Sequence, residues 1–110
     1  MSDFLRQEAM KFLQSCRGRD KAMPRTELFH HLSLFDQSLT DRKLRIIYSG
    51  LPVCSCEAGI FVPVSPREVI DFRTYVTKAH GPIIAARRCE VIFSFYPKLR
   101  PIAEVQGELF

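Results

Sequence analysis

Cysteines and histidines are the residues of this 110-residue chain whose side chains could bind a metal or act as nucleophiles. Cys54 and Cys56 lie two residues apart, so a strand would point both to one face, where the His30-His31 pair could be imagined to complete a zinc site. Their spacing fits none of the usual zinc patterns. No oxyanion-binding or orienting motif accompanies a cysteine paired with His30 or His80. We therefore expect no enzyme, no metal and no cofactor, and interpret the two cysteines as part of a small-residue core strand.

Basic side chains could bind nucleic acid. Arg42, Lys43 and Arg45 begin a predicted helix; arginine suits guanine and lysine suits phosphate. The formal net charge of +4 favours a polyanionic partner, because neutralising phosphates releases counterions. The alternative is that these residues form an ordinary solvated surface. Further basic residues in a polar connector could contact a phosphate backbone: Arg17, Arg19 and Lys21.

The final pentapeptide, QGELF, is a candidate short linear motif. It resembles the peptide by which bacterial polymerases and repair proteins dock on the replicative sliding clamp. The resemblance assigns the anchoring positions to Gln106, Leu109 and Phe110, while Gly107 replaces the usual leucine and should weaken binding. It implies that the amide makes directional hydrogen bonds and that the Leu-Phe pair fills an apolar pocket. The alternative is that Leu109 and Phe110 fold back on the body of the protein or swap into a neighbour.

Three helices are predicted in the first half of the chain. Apolar residues repeat along residues 3–16 as in an amphipathic helix, and a connector at residues 18–24 could include a short strand at Lys21–Met23. Pro24 favours the start of a second helix of about ten residues. The third helix, Asp41–Ser49, has an N-cap at Thr40 and a stop at Gly50. Its inward residues are expected to be Leu44, Ile47 and Tyr48.

A β-hairpin and further helices are predicted in the second half. Apolar segments flank Glu57-Ala58-Gly59, which is typical of a tight turn. Ser65, Pro66 and Glu68 together favour a helix start. Gly81-Pro82 then interrupts the pattern, so either one long kinked helix or two consecutive helices would fit. From Ile83 and Ile84 to Phe95, the last helical segment has apolar residues on more than one face, and we expect part of it to form a homodimer seam. The alternative is that Phe93 and Phe95 fold back on the first helix.

The order helix, helix, short loop, helix, hairpin, helix is that of a winged helix-turn-helix. The predicted fold class is therefore mainly α with a β-hairpin, a winged helix-turn-helix with a long C-terminal helix. The segments TELFHHL, TDRKLRIIYSGLPVCS and AGIFVPVSPREVIDF resemble small winged-helix proteins of phages and prophages, over about residues 20–80. This resemblance implies a DNA-binding accessory protein in replication or transcription control. We expect a winged-helix domain with its helical extension over residues 1–97 and an extended tail over residues 98–110.

The predicted wing favours a second hypothesis. Glu57 places an acid in its turn, where a wing that follows a phosphate backbone usually offers a base. The alternative function is a phage-derived inhibitor or adaptor that binds a host nucleic-acid enzyme, such as a replication factor or a CRISPR effector, without binding DNA.

Composition agrees with a single folded domain. Hydrophobic residues make up 46% and charged residues 25% of the chain, which is ordinary for a globular protein. No apolar run approaches the roughly 20 residues that span a bilayer, and the N-terminus does not resemble a signal peptide. We expect a protein without membrane contact in the cytoplasm of a bacterial host cell, with its four cysteines as free thiols.

Overall fold

Five helices and a two-stranded antiparallel hairpin form the part of the chain that the computed structural model describes, residues 2–101. This confirms the predicted class, mainly α with a β-hairpin, and the order of elements is compatible with a winged helix. None of these helices has the length and apolar character to cross a membrane. The elements are α1 (Ser2–Leu13), α2 (Arg25–Ser33), α3 (Asp41–Ser49), β1 (Cys54–Cys56), β2 (Gly59–Phe61), α4 (Pro66–His80) and α5 (Pro82–Phe95).

The third helix has the predicted bounds because its end signals are local. The Thr40 hydroxyl accepts a hydrogen bond from the backbone N–H of Lys43 at 3.2 Å, which caps the first turn. Gly50 follows the last residue. Leu44 and Ile47 are buried and Tyr48 is partly buried, as their spacing predicts.

The hairpin is tighter than predicted, and the connector pairs with it. Cys56 pairs with Gly59, so the loop holds Glu57 and Ala58 alone. Met23 bridges to Ile60 through two backbone hydrogen bonds of 2.9 and 2.8 Å. The predicted strand at residues 21–23 is wrong in extent, because a 3-10 turn occupies Arg19–Lys21 and only Met23 of the three joins β2.

Gly59 allows this pairing. Its φ is +133°, a conformation that favours glycine. A β-carbon at Gly59 would overlap the Met23 carbonyl group and lie 2.9 Å from Pro24 Cα. The backbones of the hairpin and of the segment before α2 therefore meet at a point where no side chain fits.

The hairpin separates two hydrophobic cores. Alternate strand residues point to opposite faces, so Ile60 joins the first core with α1, α2 and α3. Phe61 and Cys54 point the other way and join the second core with α4 and α5. The α4–α5 pair thus covers the face of the hairpin that the first three helices leave open.

Two helices, not one kinked helix, follow the hairpin. Gly81 separates α4 from α5 with a φ of +93°. Ile83 and Ile84 begin the predicted apolar pattern of α5, but both are exposed. The side of α5 that faces α4 is buried in the second core instead, and contact with α4 decides which side this is. Its buried residues are Ala85, Cys89, Ile92 and Phe93.

The end of the described chain packs on α5. Pro97–Leu99 form a 3-10 turn, and Arg100 donates a hydrogen bond to Glu90 at 3.1 Å within an ion pair. The extended tail was predicted to begin at residue 98, whereas the chain is folded there and Pro101 is buried. The rest of that predicted tail, with Gln106, Leu109 and Phe110, lies outside the described residues.

Candidate nucleic-acid interface

The outer face of α3 carries the basic residues that the sequence singled out. Arg42, Lys43 and Arg45 are all exposed. Lys43 Nζ donates to the carbonyl oxygen and the hydroxyl of Ser38, at 3.3 Å each, so its ammonium group is held towards the loop before the helix. Arg42 and Arg45 are the arginines that this face presents to a ligand.

Local hydrogen bonds order the loop between α2 and α3. One carboxylate oxygen of Asp36 accepts hydrogen bonds from the Ser38 hydroxyl at 2.6 Å and the Ser38 N–H at 2.9 Å. These bonds stabilise the charged carboxylate and lower the pKa of Asp36. Leu39, the residue before the Thr40 cap, is buried in the first core and anchors this end of the loop.

A groove of about 730 Å³ lies beside α3. It is formed by the start of α2, the second half of α3, the hairpin, and the region where α4 ends and α5 begins. Arg25, Arg45 and Arg88 line it together with one acid, Glu57. We call it the arginine groove, and its other polar or aromatic lining residues are Thr26, Tyr48, Ser49, Ser55, Tyr75 and His80.

Arg88 of α5 contacts both helical layers of the protein, the layer of α1, α2 and α3 and the layer of α4 and α5. Its guanidinium carbon lies 4.8 Å from the ring centroid of Phe72 on α4 and 5.5 Å from that of Tyr48 on α3. Burial lowers the pKa of Arg88, although an arginine remains charged at neutral pH. Its Nη2 atom is buried and has no hydrogen-bond partner among the described residues. The protein therefore holds a partly desolvated cation here, packed against two aromatic rings.

Arg25 also carries its charge at an unfavourable position. It is the first residue of α2, where the helix dipole disfavours a cation. Pro24 precedes it and no side chain caps this helix end. The first N–H groups of α2 and the Arg25 side chain thus add positive potential to the same end of the arginine groove.

The basic residues of the connector lie elsewhere. Arg17 donates to Gln14 Oε1 at 2.6 Å. Arg19 donates its backbone N–H to Glu68 at 2.7 Å and lines an adjoining pocket of about 50 Å³, which contains Asp71 and shares Glu57 and Tyr75 with the arginine groove. Lys21 is exposed at the end of the 3-10 turn. Of the six residues predicted to bind DNA, Arg45 alone lines the arginine groove.

The cysteines occupy the core rather than a shared polar site. Cys16, Cys54 and Cys89 are buried and Cys56 is partly exposed. Burial, and then the neighbouring Cys89, raise the pKa of the Cys54 thiol. Within residues 2–101, no group of three or more histidines, cysteines and carboxylates is placed to hold a metal ion.

Sequence reasoning missed Arg25 and Arg88, although each left a signal. Arg25 is a base in the first turn of a helix, against the preference set by the helix dipole. Arg88 lies on the same side of α5 as the apolar residues Ala85, Cys89 and Ile92, all of which are buried. A cation at such a position requires compensation, and that signal could have marked both residues.

Comparisons with known proteins give no further guide to this interface: no protein-family model, curated protein or solved structure matches the chain.

Proposed function

We propose that this protein is a winged-helix DNA-binding module without a catalytic centre. In the proposed complex α3 enters the major groove of duplex DNA, with Arg42 and Arg45 directed at base edges and phosphates. The observation that carries the proposal is the exposure of these arginines on the first turns of a capped helix, beside a groove with two more arginines. The resemblance to phage and prophage proteins favours an accessory role in replication or transcription control.

A titration of labelled duplex DNA followed by fluorescence anisotropy tests this proposal. We expect the double variant Arg42→Gln, Arg45→Gln to bind at least about tenfold more weakly than the original protein, because two charged contacts are lost. The matched control is Arg67→Gln. Arg67 is an exposed arginine on α4 that pairs with Asp71 at 3.4 Å and does not line the arginine groove.

The proposal is wrong if the original protein does not bind duplex DNA, or if the double variant binds as tightly as the control variant. Circular dichroism and thermal unfolding of each variant separate lost contacts from lost fold. Both substituted residues are exposed, so we expect unfolding temperatures close to that of the original protein.

The second candidate is the inhibitor or adaptor of a host nucleic-acid enzyme. An exposed apolar patch favours it: Leu34 is 79% exposed, and the rings of Phe4 and Phe35 meet edge to face at 5.5 Å. Such a patch suits a protein partner. Three results together would favour this function over the first. The protein would copurify with a nucleic-acid enzyme, the double variant Leu34→Ser, Phe35→Ser would abolish this copurification, and the protein would not bind duplex DNA.

We also propose that the chain is tethered to the bacterial sliding clamp through Gln106, Leu109 and Phe110. The support is the resemblance of QGELF to the clamp-binding peptide. A tether of this kind would bring the winged helix to DNA through a protein contact and would add to weak direct binding by raising the effective concentration.

A further inference from the structure

The arginine groove extends well beyond the outer face of α3. Arg25 and Arg88 belong to α2 and α5, and neither was part of the predicted interface. We propose that the arginine groove is a binding site for the phosphate groups of a nucleotide chain, with Arg25 and Arg88 as its phosphate-binding residues. This inference rests on the proposed function and assigns a second contact surface within it.

Charge is the first argument. Three arginines and one glutamate line the arginine groove. Partial burial imposes a desolvation penalty at Arg88, whose Nη2 lacks a partner among the described residues. An anion would offset this penalty, and guanidinium groups match phosphate oxygens in two-point hydrogen bonds.

Position is the second argument. Arg45 of α3, the hairpin and the junction of α4 and α5 all line the arginine groove, and so do Arg25 of α2 and Arg88 of α5. A nucleotide chain whose phosphates contact Arg45 inside the groove would therefore lie in the same groove as Arg25 and Arg88. Cation–π contacts with Phe72 and Tyr48 limit the rotamers of Arg88 before a ligand arrives, which reduces the entropy lost on binding.

Size and chemistry are the third argument. A volume of about 730 Å³ suits a nucleotide-sized ligand rather than a single small anion. Tyr75 lines the arginine groove and is 44% exposed, so its ring offers a surface on which a base could stack. The Ser55 hydroxyl adds an uncharged polar group to the same surface, whereas the Ser49 hydroxyl donates to the Arg45 carbonyl oxygen at 2.6 Å.

The experiment uses ¹⁵N-labelled full-length protein at constant ionic strength, titrated with inorganic pyrophosphate, with thymidine 5′-monophosphate and with duplex DNA. We expect all three probes to shift the amide signals of α2's first turn and of residues around Arg88. Arg25→Gln and Arg88→Gln should each weaken binding of pyrophosphate and of duplex DNA about tenfold. Arg87→Gln is the matched control because Arg87 is the adjacent, exposed arginine of α5 and does not line the arginine groove.

The three probes distinguish the sources of phosphate. If duplex DNA shifts these signals and the free anions do so only weakly, the nucleic-acid backbone is the ligand. If the anions bind and duplex DNA does not, Arg25 and Arg88 bind the phosphate of a free nucleotide: the phosphate-binding role of the two arginines stands, whereas the nucleotide chain as ligand and the proposed function both fail. The inference is overturned if Arg25→Gln and Arg88→Gln bind both pyrophosphate and duplex DNA as tightly as Arg87→Gln does. This holds even if the α3 variants no longer bind duplex DNA. It is also overturned if a polyglutamate peptide of equal charge shifts the same signals and the phosphate probes do not.

Arg88→Gln could lose affinity by loosening the contact between the two layers, and two further variants separate this effect. Arg88→Lys keeps the charge but loses the planar fork, so we expect intermediate affinity for pyrophosphate. Arg25→Gln acts from a different element and leaves the contacts of Arg88 intact. A folded Arg25→Gln protein with unchanged affinity would contradict the proposal on its own.

Discussion

Individual charged residues carry the functional account. Arg42 and Arg45 could be identified from sequence because they follow a helix cap on a polar face, and the structure exposes both. Arg25 and Arg88 could not be placed in the same way, since their contribution to one groove depends on contacts among α2, α3 and α5. Local signals thus indicate which side chains are exposed, whereas their convergence is a property of tertiary packing.

Thiol reactivity tests the burial of single residues. We expect 5,5′-dithiobis(2-nitrobenzoate) to modify one thiol rapidly in the native protein, that of the partly exposed Cys56, and all four after unfolding in guanidinium chloride. Burial raises the pKa of Cys54, which disfavours the reactive thiolate at that position. Cys56→Ser should remove the rapid phase. Two or more rapidly modified thiols in the folded, unsubstituted protein would contradict the burial of Cys16, Cys54 and Cys89.

The elements differ in how well sequence predicts them. The bounds of α3 follow from Thr40 and Gly50, which act on the helix itself. The structure of the connector was harder to predict because Met23 pairs with Ile60, which is distant in sequence. Residues 19–21 form a 3-10 turn instead of a strand. The buried face of α5 was also missed, since apolar residues occur on several of its sides and contact with α4 selects among them.

Gly59→Ala tests the close approach between the hairpin and the segment before α2. The new β-carbon would overlap the Met23 carbonyl, and a positive φ is strained for alanine. We expect the free energy of unfolding to fall by about 2–4 kcal/mol, measured by chemical denaturation. Gly50→Ala is the matched control: its φ is −91° and its nearest contact is the flexible Arg6 side chain at 3.2 Å, so a loss below about 1 kcal/mol is expected. Equal losses in the two variants would show that the backbone approach at Gly59 is not as close as described.

At the scale of the whole molecule, two helical layers meet at one hairpin, and the arginine groove opens where the layers adjoin. The order of helices and hairpin was predictable from caps, turns and periodicity. The second core was not, because alternation on strands as short as Cys54–Cys56 and Gly59–Phe61 does not reveal that both faces are covered. The predicted homodimer through α5 stays a prediction, with Ile83, Ile84 and Phe95 as its exposed apolar side chains.

The proposed tether is tested by surface plasmon resonance with immobilised bacterial sliding clamp. We expect the full chain to bind measurably and the double variant Leu109→Ala, Phe110→Ala to lose binding, because the pair would no longer fill an apolar pocket. Ile102→Ala with Val105→Ala removes two apolar side chains outside the pentapeptide and should bind as the original chain does. Equal binding by the two double variants would contradict the tether.

The salt dependence of duplex binding tests the central claim most directly. Each phosphate contact contributes about 0.9 to the slope of log K against log salt concentration. With Arg42, Arg45 and the arginine groove engaged, we predict a slope of about −3 or steeper, which Arg45→Gln makes shallower by about 1. A slope near zero, or no duplex binding at low salt, would contradict the account that this protein binds DNA through α3 and the arginine groove.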